Sequence, residues 1–194
     1  MLGVILCGGQ SSRMGTDKGM IKLHANTWAQ TAVDKMSSLQ LKVLLSVNAF
    51  QYDDYQSVFN QSVLVKDDDR LELNGPLKGV LSIHVQHPDE DLFVLACDMP
   101  LMEAGMLNKL LLVSIENPVA DAYVFTNEEE PEPLCGIYKA AGLAHIVDLL
   151  KAKALTKFSM KFALDHISTF TTPLDEDQKK YFRNFNAHAE LNGL

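Results

Sequence analysis

The sequence lacks the features of several large classes of protein. It has three cysteines, Cys7, Cys97 and Cys135, and no CxxC pair, so neither a disulfide framework nor a cysteine zinc site is expected. No stretch approaches the roughly 18 consecutive apolar residues of a membrane helix, and the N-terminus shows no basic flank or cleavage signal. We therefore expect a cytoplasmic protein without membrane contacts, in which the cysteines are small buried apolar side chains.

Basic residues are also scarce, with 17 lysines and arginines against 25 acidic residues in a chain of 194. The resulting net charge of −8 disfavours a broad, sequence-independent grip on nucleic acid. Any polyanionic ligand must therefore be bound by a few local cations. The histidines show no metal-ligand spacing and are assigned no catalytic role.

Two common nucleotide-binding motifs are missing from the first glycine-rich segment, residues 8–18. It has neither the Gly-Lys-Ser/Thr of a Walker loop nor the Gly-x-Gly-x-x-Gly of a dinucleotide-binding turn. It does follow a short apolar run, Leu2–Cys7, which predicts a buried strand. Its glycines allow backbone N–H groups to surround phosphate oxygens, and Arg13 and Lys18 add positive charge. The segment therefore predicts a phosphate site.

Strand-like and helical patterns alternate along the chain and end in polar loops. This pattern predicts one domain over residues 1–194 with the α/β fold class: three layers, α/β/α, around a mostly parallel, Rossmann-like sheet with ligands at the carboxyl ends of the strands. Residues 127–133 are expected to form a polar excursion between two strands, with Glu128–Glu130 as a solvated hairpin. Helices are predicted over 27–39, 76–86, 104–115 and 140–151, and strands over 43–47, 63–65, 92–96, 122–125, 134–138 and 167–170.

Three polar residues follow predicted strands. Asp98 is followed by Met99-Pro100, which favours an extended exit, and its carboxylate is a suitable ligand for Mg²⁺. Asp67 begins an acidic run that is either a solvated loop or a group able to accept the N1 and N2 protons of guanine. Asn48 either closes a turn or contacts a base or ribose.

The glycine-rich segment, Leu6-Cys7-Gly8-Gly9-x-x-x-Arg13-Met14-Gly15-x-Asp17-Lys18, resembles the signature loop of the nucleotidyltransferases related to molybdenum cofactor guanylyltransferase. The likeness continues through Gly75-Pro76-Leu77, Cys97-Asp98-Met99-Pro100, the strand at 133–138 and Asn184-Phe185-Asn186, and so spans nearly the whole chain. It departs from the family pattern around residues 25–26 and 187–189.

This resemblance implies a nucleotidyltransferase fold and the transfer of GMP from GTP to the terminal phosphate of molybdopterin, with Mg²⁺ as cofactor. It also implies that the N-terminal part binds the nucleotide and the C-terminal part the acceptor, with other cofactor-biosynthesis proteins and apo-molybdoenzymes as partners. By the same resemblance the catalytic residues are Arg13, Lys18 and Asp98, the metal ligands are Asp98 and Asn186, and the nucleotide-binding residues are Leu6, Cys7, Gly8, Gly9, Lys18, Asn48, Asp67 and Asp98.

Three alternatives remain open at this point. A molybdenum cofactor cytidylyltransferase would use CTP on the same acceptor, but Asp67 and Gly75-Pro76-Leu77 favour the guanine-specific pattern. A non-catalytic nucleotide-binding module would serve as a chaperone for cofactor insertion and release no pyrophosphate. A sugar-phosphate nucleotidyltransferase has a similar loop, but such chains are usually longer.

Overall fold

A seven-stranded sheet forms the centre of the protein, which is described here by a computed structural model covering residues 1–8, 17–23 and 25–185. The strands are β1 (Leu2–Leu6), β2 (Lys22–Leu23), β3 (Asn26–Thr27), β4 (Lys42–Val47), β5 (Leu64–Lys66), β6 (Leu92–Ala96), β7 (Ala122–Asn127), β8 (Glu130–Tyr138) and β9 (Thr169–Pro173). The helices are α1 (Trp28–Ser37), α2 (Tyr52–Gln56), α3 (Pro76–Gln86), α4 (Ala104–Glu116), α5 (Ala140–Lys151) and α6 (Met160–Leu164).

The strands of the sheet lie in the order β5-β4-β1-β6-β8-β7-β9. The first four of these are parallel to one another, β8 is antiparallel to both its neighbours, and β9 is parallel to β7. The chain passes from β1 outward to β4 and β5 and then returns to the other side of β1 with β6. A crevice at the carboxyl ends is expected where the strand order reverses in this way.

Helices cover both faces of the sheet, and β1 shows why. Its side chains alternate between two apolar clusters, with Val4 and Leu6 on the side of α3, α5 and α6, and Ile5 on the side of α1, α2 and α4. A strand that is apolar on both faces must be buried on both. The predicted three-layer arrangement with a mostly parallel sheet is therefore confirmed, and all three cysteines are free and buried as expected.

The helix starts follow local rules that the sequence shows. Thr27 caps α1 by accepting the N–H of Gln30 at 3.1 Å, and Pro76 occupies the first turn of α3. Two short features had no strong pattern and were not predicted: helix α2 and the antiparallel pair β2–β3. Within the described ranges, no helix is long and apolar enough to cross a membrane.

The hairpin expected at Glu128–Glu130 is present, but most of the polar excursion predicted over 127–133 is paired as strand, which leaves a short turn. Only Glu128 and Glu129 form it, with φ values of 50° and 69°, as in the tight turns that match the twist of a hairpin. The predicted strand 134–138 therefore begins at Glu130 instead. The pairing shifts register between Val124 and Phe125, and this irregularity accommodates a polar, proline-containing stretch within β8.

Buried His84 on α3 makes the fold sensitive to acid. Its side chain is 4% exposed, its Nδ1 has no hydrogen-bond partner in the described part of the chain, and burial lowers the pKa of the imidazole. Below the unfolded-state pKa of about 6.5, the imidazole of His84 takes up a proton in the unfolded chain but stays neutral in the folded chain.

We expect urea unfolding to show that His84→Leu gains stability relative to the wild type as the pH falls from 7.5 to 5.5. The same substitution at exposed His145 should leave that difference unchanged, and an equal effect at both sites would contradict the assignment.

Candidate functional site

A cleft of about 1040 Å³ lies at the carboxyl ends of the parallel strands, where the strand order reverses. Its volume is at the upper end of the roughly 300–1,000 Å³ that is usual for small-molecule sites. The strand ends and the start of α3 contribute its walls: Leu6, Cys7 and Gly8 after β1, Ser46 and Asn48 to Phe50 at β4, Asp67 and Asp69 after β5, Cys97 and Asp98 after β6, and Asn74 to Pro76 with Lys78 and Gly79 at α3.

An ion pair between Lys18 and Asp98 lies in this cleft. Lys18 Nζ is 3.1 Å from Asp98 Oδ2, and the two side chains are 24% and 19% exposed. The other carboxylate oxygen, Oδ1, is buried and accepts no hydrogen bond from the residues that the structure describes. A buried carboxylate oxygen without a partner is costly unless a ligand or cation completes it. The predicted catalytic pair is thus brought together from positions 80 residues apart in the chain.

Asp98 fits the role of a Mg²⁺ ligand. Asp98 lines the cleft and offers a hard oxygen donor in Oδ1, and Mg²⁺ is commonly bound by one or two carboxylates together with substrate phosphates and water. Among the described residues there is no group of three or more side chains that could hold a metal by themselves. A metal at this site would therefore share its coordination with the bound substrate.

The C-terminal segment reaches the same place. The N–H of Phe185 donates to the backbone carbonyl of Asp98 at 3.1 Å, and its ring packs edge-on against Trp28. Asn186, the other predicted metal ligand, is the next residue in the sequence and lies outside the described residues. Arg13 and Gly9 of the glycine-rich segment also lie outside them.

Asp67 is a half-buried member of the acidic run at residues 67–69. Its Oδ1 accepts a hydrogen bond from Ser46 Oγ at 3.2 Å, and a Cβ added to Gly8 would lie 3.8 Å from its Oδ2. Burial raises the pKa of Asp67, and this effect is opposed by the Ser46 hydrogen bond and the charge of Lys78. The carboxylate is therefore oriented by β4 toward the start of the glycine-rich segment.

The other two acidic residues of the run form ion pairs with basic side chains. Asp68 forms a bidentate pair with Arg70, whose hydrogen bonds lower the Asp68 pKa to about 2. Asp69 is 87% exposed and pairs with Lys78 at 2.9 Å. The solvated-loop interpretation of this run therefore holds for Asp69, whereas the side chains of Asp67 and Asp68 are both half-buried.

Asn48 closes a turn. Its Oδ1 accepts the N–H groups of Phe50 at 2.9 Å and Gln51 at 3.0 Å, while its own N–H donates to Gln51 Oε1. A ligand contact by Asn48 would have to use its amide NH₂ group, because the carbonyl oxygen is engaged. Of the two roles left open by the sequence, the structure contains the turn.

Comparison with known proteins places the chain in a family. Residues 3–166 match the family model described as the MobA-like NTP transferase domain. This chain belongs to that family. A MobA-like transferase is a nucleotidyltransferase, and the fold and the enzyme class expected from the glycine-rich segment are thereby confirmed.

Relatives and solved structures agree with this placement. A protein named "Probable molybdenum cofactor guanylyltransferase" from Geobacillus sp. (strain WCH70) is 27% identical over 194 residues, covering 100% of this chain and 97% of that protein. A "Molybdenum cofactor guanylyltransferase" from Campylobacter jejuni (strain RM1221) is 32% identical over 191 residues, covering 96% and 91%. The crystal structure of molybdopterin-guanine dinucleotide biosynthesis protein A from Archaeoglobus fulgidus has the same fold, with a TM-score of 0.78 and 18% identity over 99% of this chain and 95% of that one.

Asp17, Gln51 and Tyr55, to which the sequence assigns no role, form a hydrogen-bonded cluster beneath the cleft of this MobA-like transferase. Gln51 Nε2 donates to the backbone carbonyl of Cys7 at 3.0 Å and to the carboxylate of Asp17. The Tyr55 hydroxyl donates to Asp17 Oδ1 at 3.1 Å, and the N–H of Gly19 donates to the same oxygen at 2.8 Å. Desolvation raises the pKa of Asp17, and these hydrogen bonds oppose the rise. The two ends of the glycine-rich segment are thus joined through a glutamine from a different loop.

Gly19 has no room for a side chain. A Cβ at this position would lie 2.0 Å from the Tyr55 hydroxyl and 3.3 Å from Cys97 Sγ. No real contact is that short, so the absence of a side chain at residue 19 allows Lys18 to lie next to the buried tyrosine. Nothing in the local sequence indicates this requirement, because Tyr55 is 36 residues away.

We expect Gly19→Ala to lower the free energy of unfolding by about 2 kcal/mol or more, since overpacking a filled site typically costs 1–3 kcal/mol. In a Tyr55→Phe background the same change should cost much less, because the clashing hydroxyl is gone. Urea unfolding of the four proteins in this double-mutant cycle measures the coupling. Gly105→Ala is the matched control, with open space around the new Cβ, and should be neutral or stabilising. Additive effects at residues 19 and 55 would contradict the packing argument.

Proposed function

We propose that this MobA-like transferase moves GMP from GTP to the terminal phosphate of molybdopterin, giving the guanine dinucleotide cofactor and pyrophosphate. The observation that carries the proposal is that one cleft holds both Asp67, a carboxylate suited to guanine, and the Lys18–Asp98 pair, suited to a metal-bound triphosphate. The names of the relatives from Geobacillus and Campylobacter support the choice of nucleotide and acceptor.

The nucleotide would lie along the strand ends. Asp67 would accept the N1–H and N2–H of guanine with its two oxygens, a pattern that no other common base offers. Gly8 and Lys18, with Gly9 and Arg13 as predicted from the sequence, would bind the phosphates. The first turn of α3 also lines this cleft through Gly75 and Pro76, and the N–H of Lys78 in that turn already donates to the carbonyl of Gly75 at 3.0 Å.

The reaction needs no protein nucleophile. An oxygen of the acceptor phosphate attacks the α-phosphorus, the bond from that phosphorus to the bridging oxygen of the β-phosphate breaks, and pyrophosphate leaves with the electron pair. Lys18 would offset the charge that develops on the leaving group. Asp98 and Asn186 would hold Mg²⁺, which when bound neutralises triphosphate charge. The acceptor would lie on the C-terminal side of Asp98, beside the segment that ends at Phe185.

Removing either member of the ion pair should abolish most of the activity. We expect Asp98→Asn and Lys18→Ala each to lower kcat for pyrophosphate release by at least about 100-fold, the scale of losing one preorganised charge contact in a transition state. The assay is release of pyrophosphate from GTP with molybdopterin and Mg²⁺, and Asp148→Asn, at an exposed aspartate outside the cleft, is the matched control. Unchanged turnover in both variants at saturating GTP would refute the proposed roles. No pyrophosphate from the wild type would favour a binding module.

Asp67→Asn should separate specificity from stability. The wild type should prefer GTP to ITP, which lacks the 2-amino group, and the variant should lose roughly 10- to 100-fold in GTP affinity together with most of that preference, since hydrogen bonds to a charged group contribute about 1.5–3 kcal/mol. Calorimetric titration with GTP, ITP and CTP measures both the affinity for GTP and the preference for GTP over the other two nucleotides. A preference of the wild type for CTP would favour a cytidylyltransferase.

Asp67→Asn should also have a higher free energy of unfolding than the wild type near neutral pH. Because burial raises the Asp67 pKa above its unfolded value, the ionised carboxylate costs stability at neutral pH, and this cost disappears as the pH falls below both values. The amide keeps an acceptor for Ser46 but carries no charge. We expect urea unfolding to show a gain at pH 7 that vanishes near pH 3.5, and Asp148→Asn, at an exposed aspartate on α5, to show none. A loss of stability at pH 7 would contradict this account.

A further inference from the structure

Phe50 is an aromatic side chain left in solvent at the edge of the cleft. It is 96% exposed, more than any other large apolar side chain in the described ranges, and it lines the cleft together with Asn48 and Ala49. Other highly exposed apolar residues, such as Val119 at 90%, lie away from the cleft. Burying a phenylalanine contributes about 1.5–3 kcal/mol, so its exposure here forgoes a stabilisation that a ligand could restore.

The backbone of Phe50 is fixed although its ring is not covered. Its N–H donates to Asn48 Oδ1 at 2.9 Å, and the N–H of the next residue, Gln51, donates to the same oxygen. Gln51 is itself buried and bound to the carbonyl of Cys7. The ring is therefore attached to a turn that is anchored to the end of β1, and does not belong to an unconstrained loop.

This turn lies directly beside Asp67. The N–H of Asp67 donates to the carbonyl of Val47 at 2.9 Å, and Val47 is three residues before Phe50. A base whose hydrogen-bonding edge faces Asp67 would have its flat faces exposed unless a neighbouring group covered one of them. Of the described residues that line the cleft, Phe50 is the one with an aromatic ring.

We propose that Phe50 stacks on the nucleobase and forms one face of the base site. The inference rests on the proposed nucleotide function and adds to it a division of labour. Stacking on an aromatic ring contributes about 1–3 kcal/mol per base and tolerates any base, because every base has a π-face. Asp67 then selects the base by its edge, while Phe50 supplies affinity that does not depend on base identity.

The first test compares nucleotides with a ligand that has no base. Phe50→Ala should weaken GTP and ITP binding by the same factor, roughly 5- to 150-fold, which is the converted stacking range. It should leave the affinity for inorganic triphosphate unchanged. Phe158→Ala, at a partly exposed phenylalanine outside the cleft, is the matched control and should change none of these values.

The second test retains an aromatic ring at the site. Phe50→Trp should bind GTP about as tightly as the wild type, and the new indole should show fluorescence quenching on addition of GTP but not of inorganic triphosphate. The wild type, whose single tryptophan is buried Trp28, gives the baseline.

The outcomes separate this inference from the proposed function. If the wild type binds and transfers GMP while Phe50→Ala binds GTP normally, the stacking role is wrong and the proposed function stands. Equal losses for GTP and inorganic triphosphate would also overturn the stacking role, since they would indicate damage to the phosphate site. If the wild type binds no nucleoside triphosphate at all, the proposed function fails, and the stacking role fails with it.

Discussion

The buried carboxamide of Gln51 is the interaction on which the geometry of the cleft depends. It joins three segments that meet at the carboxyl edge of the sheet: the end of β1 at Cys7, the residue before Lys18, and the turn at Asn48. Each of these contacts satisfies a polar group that would cost about 1–3 kcal/mol if it were buried without a partner. Because Asp17 is held in this way, the position of the adjacent Lys18 is set as well. The fixed turn at Asn48 likewise sets the position of Phe50 and of the end of β4 beside Asp67.

The cleft also concentrates acidic groups in a protein that is already acidic. Asp17, Asp67 and Asp98 lie at one edge of the sheet, and burial raises the pKa of the first two. A triphosphate entering such a site meets unfavourable charge unless cations accompany it. Lys18 provides one such cation, and the Mg²⁺ proposed at Asp98 would provide more positive charge, so electrostatics supports that proposal alongside the family resemblance.

Much of the fold could be predicted because its signals are local. Continuous apolar runs marked β1, β4 and β6 as buried strands, and helical spacing marked α1, α3, α4 and α5. The start of β8 was misplaced because its first residues are polar and contain prolines, which usually indicate a loop, whereas here they continue a hairpin with a register shift. Helix α2 was missed because it is only five residues long, too short for a periodic pattern to be distinguished from a turn.

The sequence by itself determined the order of strands and helices, the glycine-rich segment with its cations, and the carboxylates at positions 67 and 98, because each depends on a few consecutive residues. Only the tertiary structure decided that Asp67 bonds to Ser46 while Asp69 stays exposed, that Lys18 pairs with Asp98, and that residue 19 has no room for a side chain. These features arise where parallel strands from distant parts of the chain end side by side. Packing and burial at that edge are properties of the assembled sheet and cannot be read from neighbours along the chain.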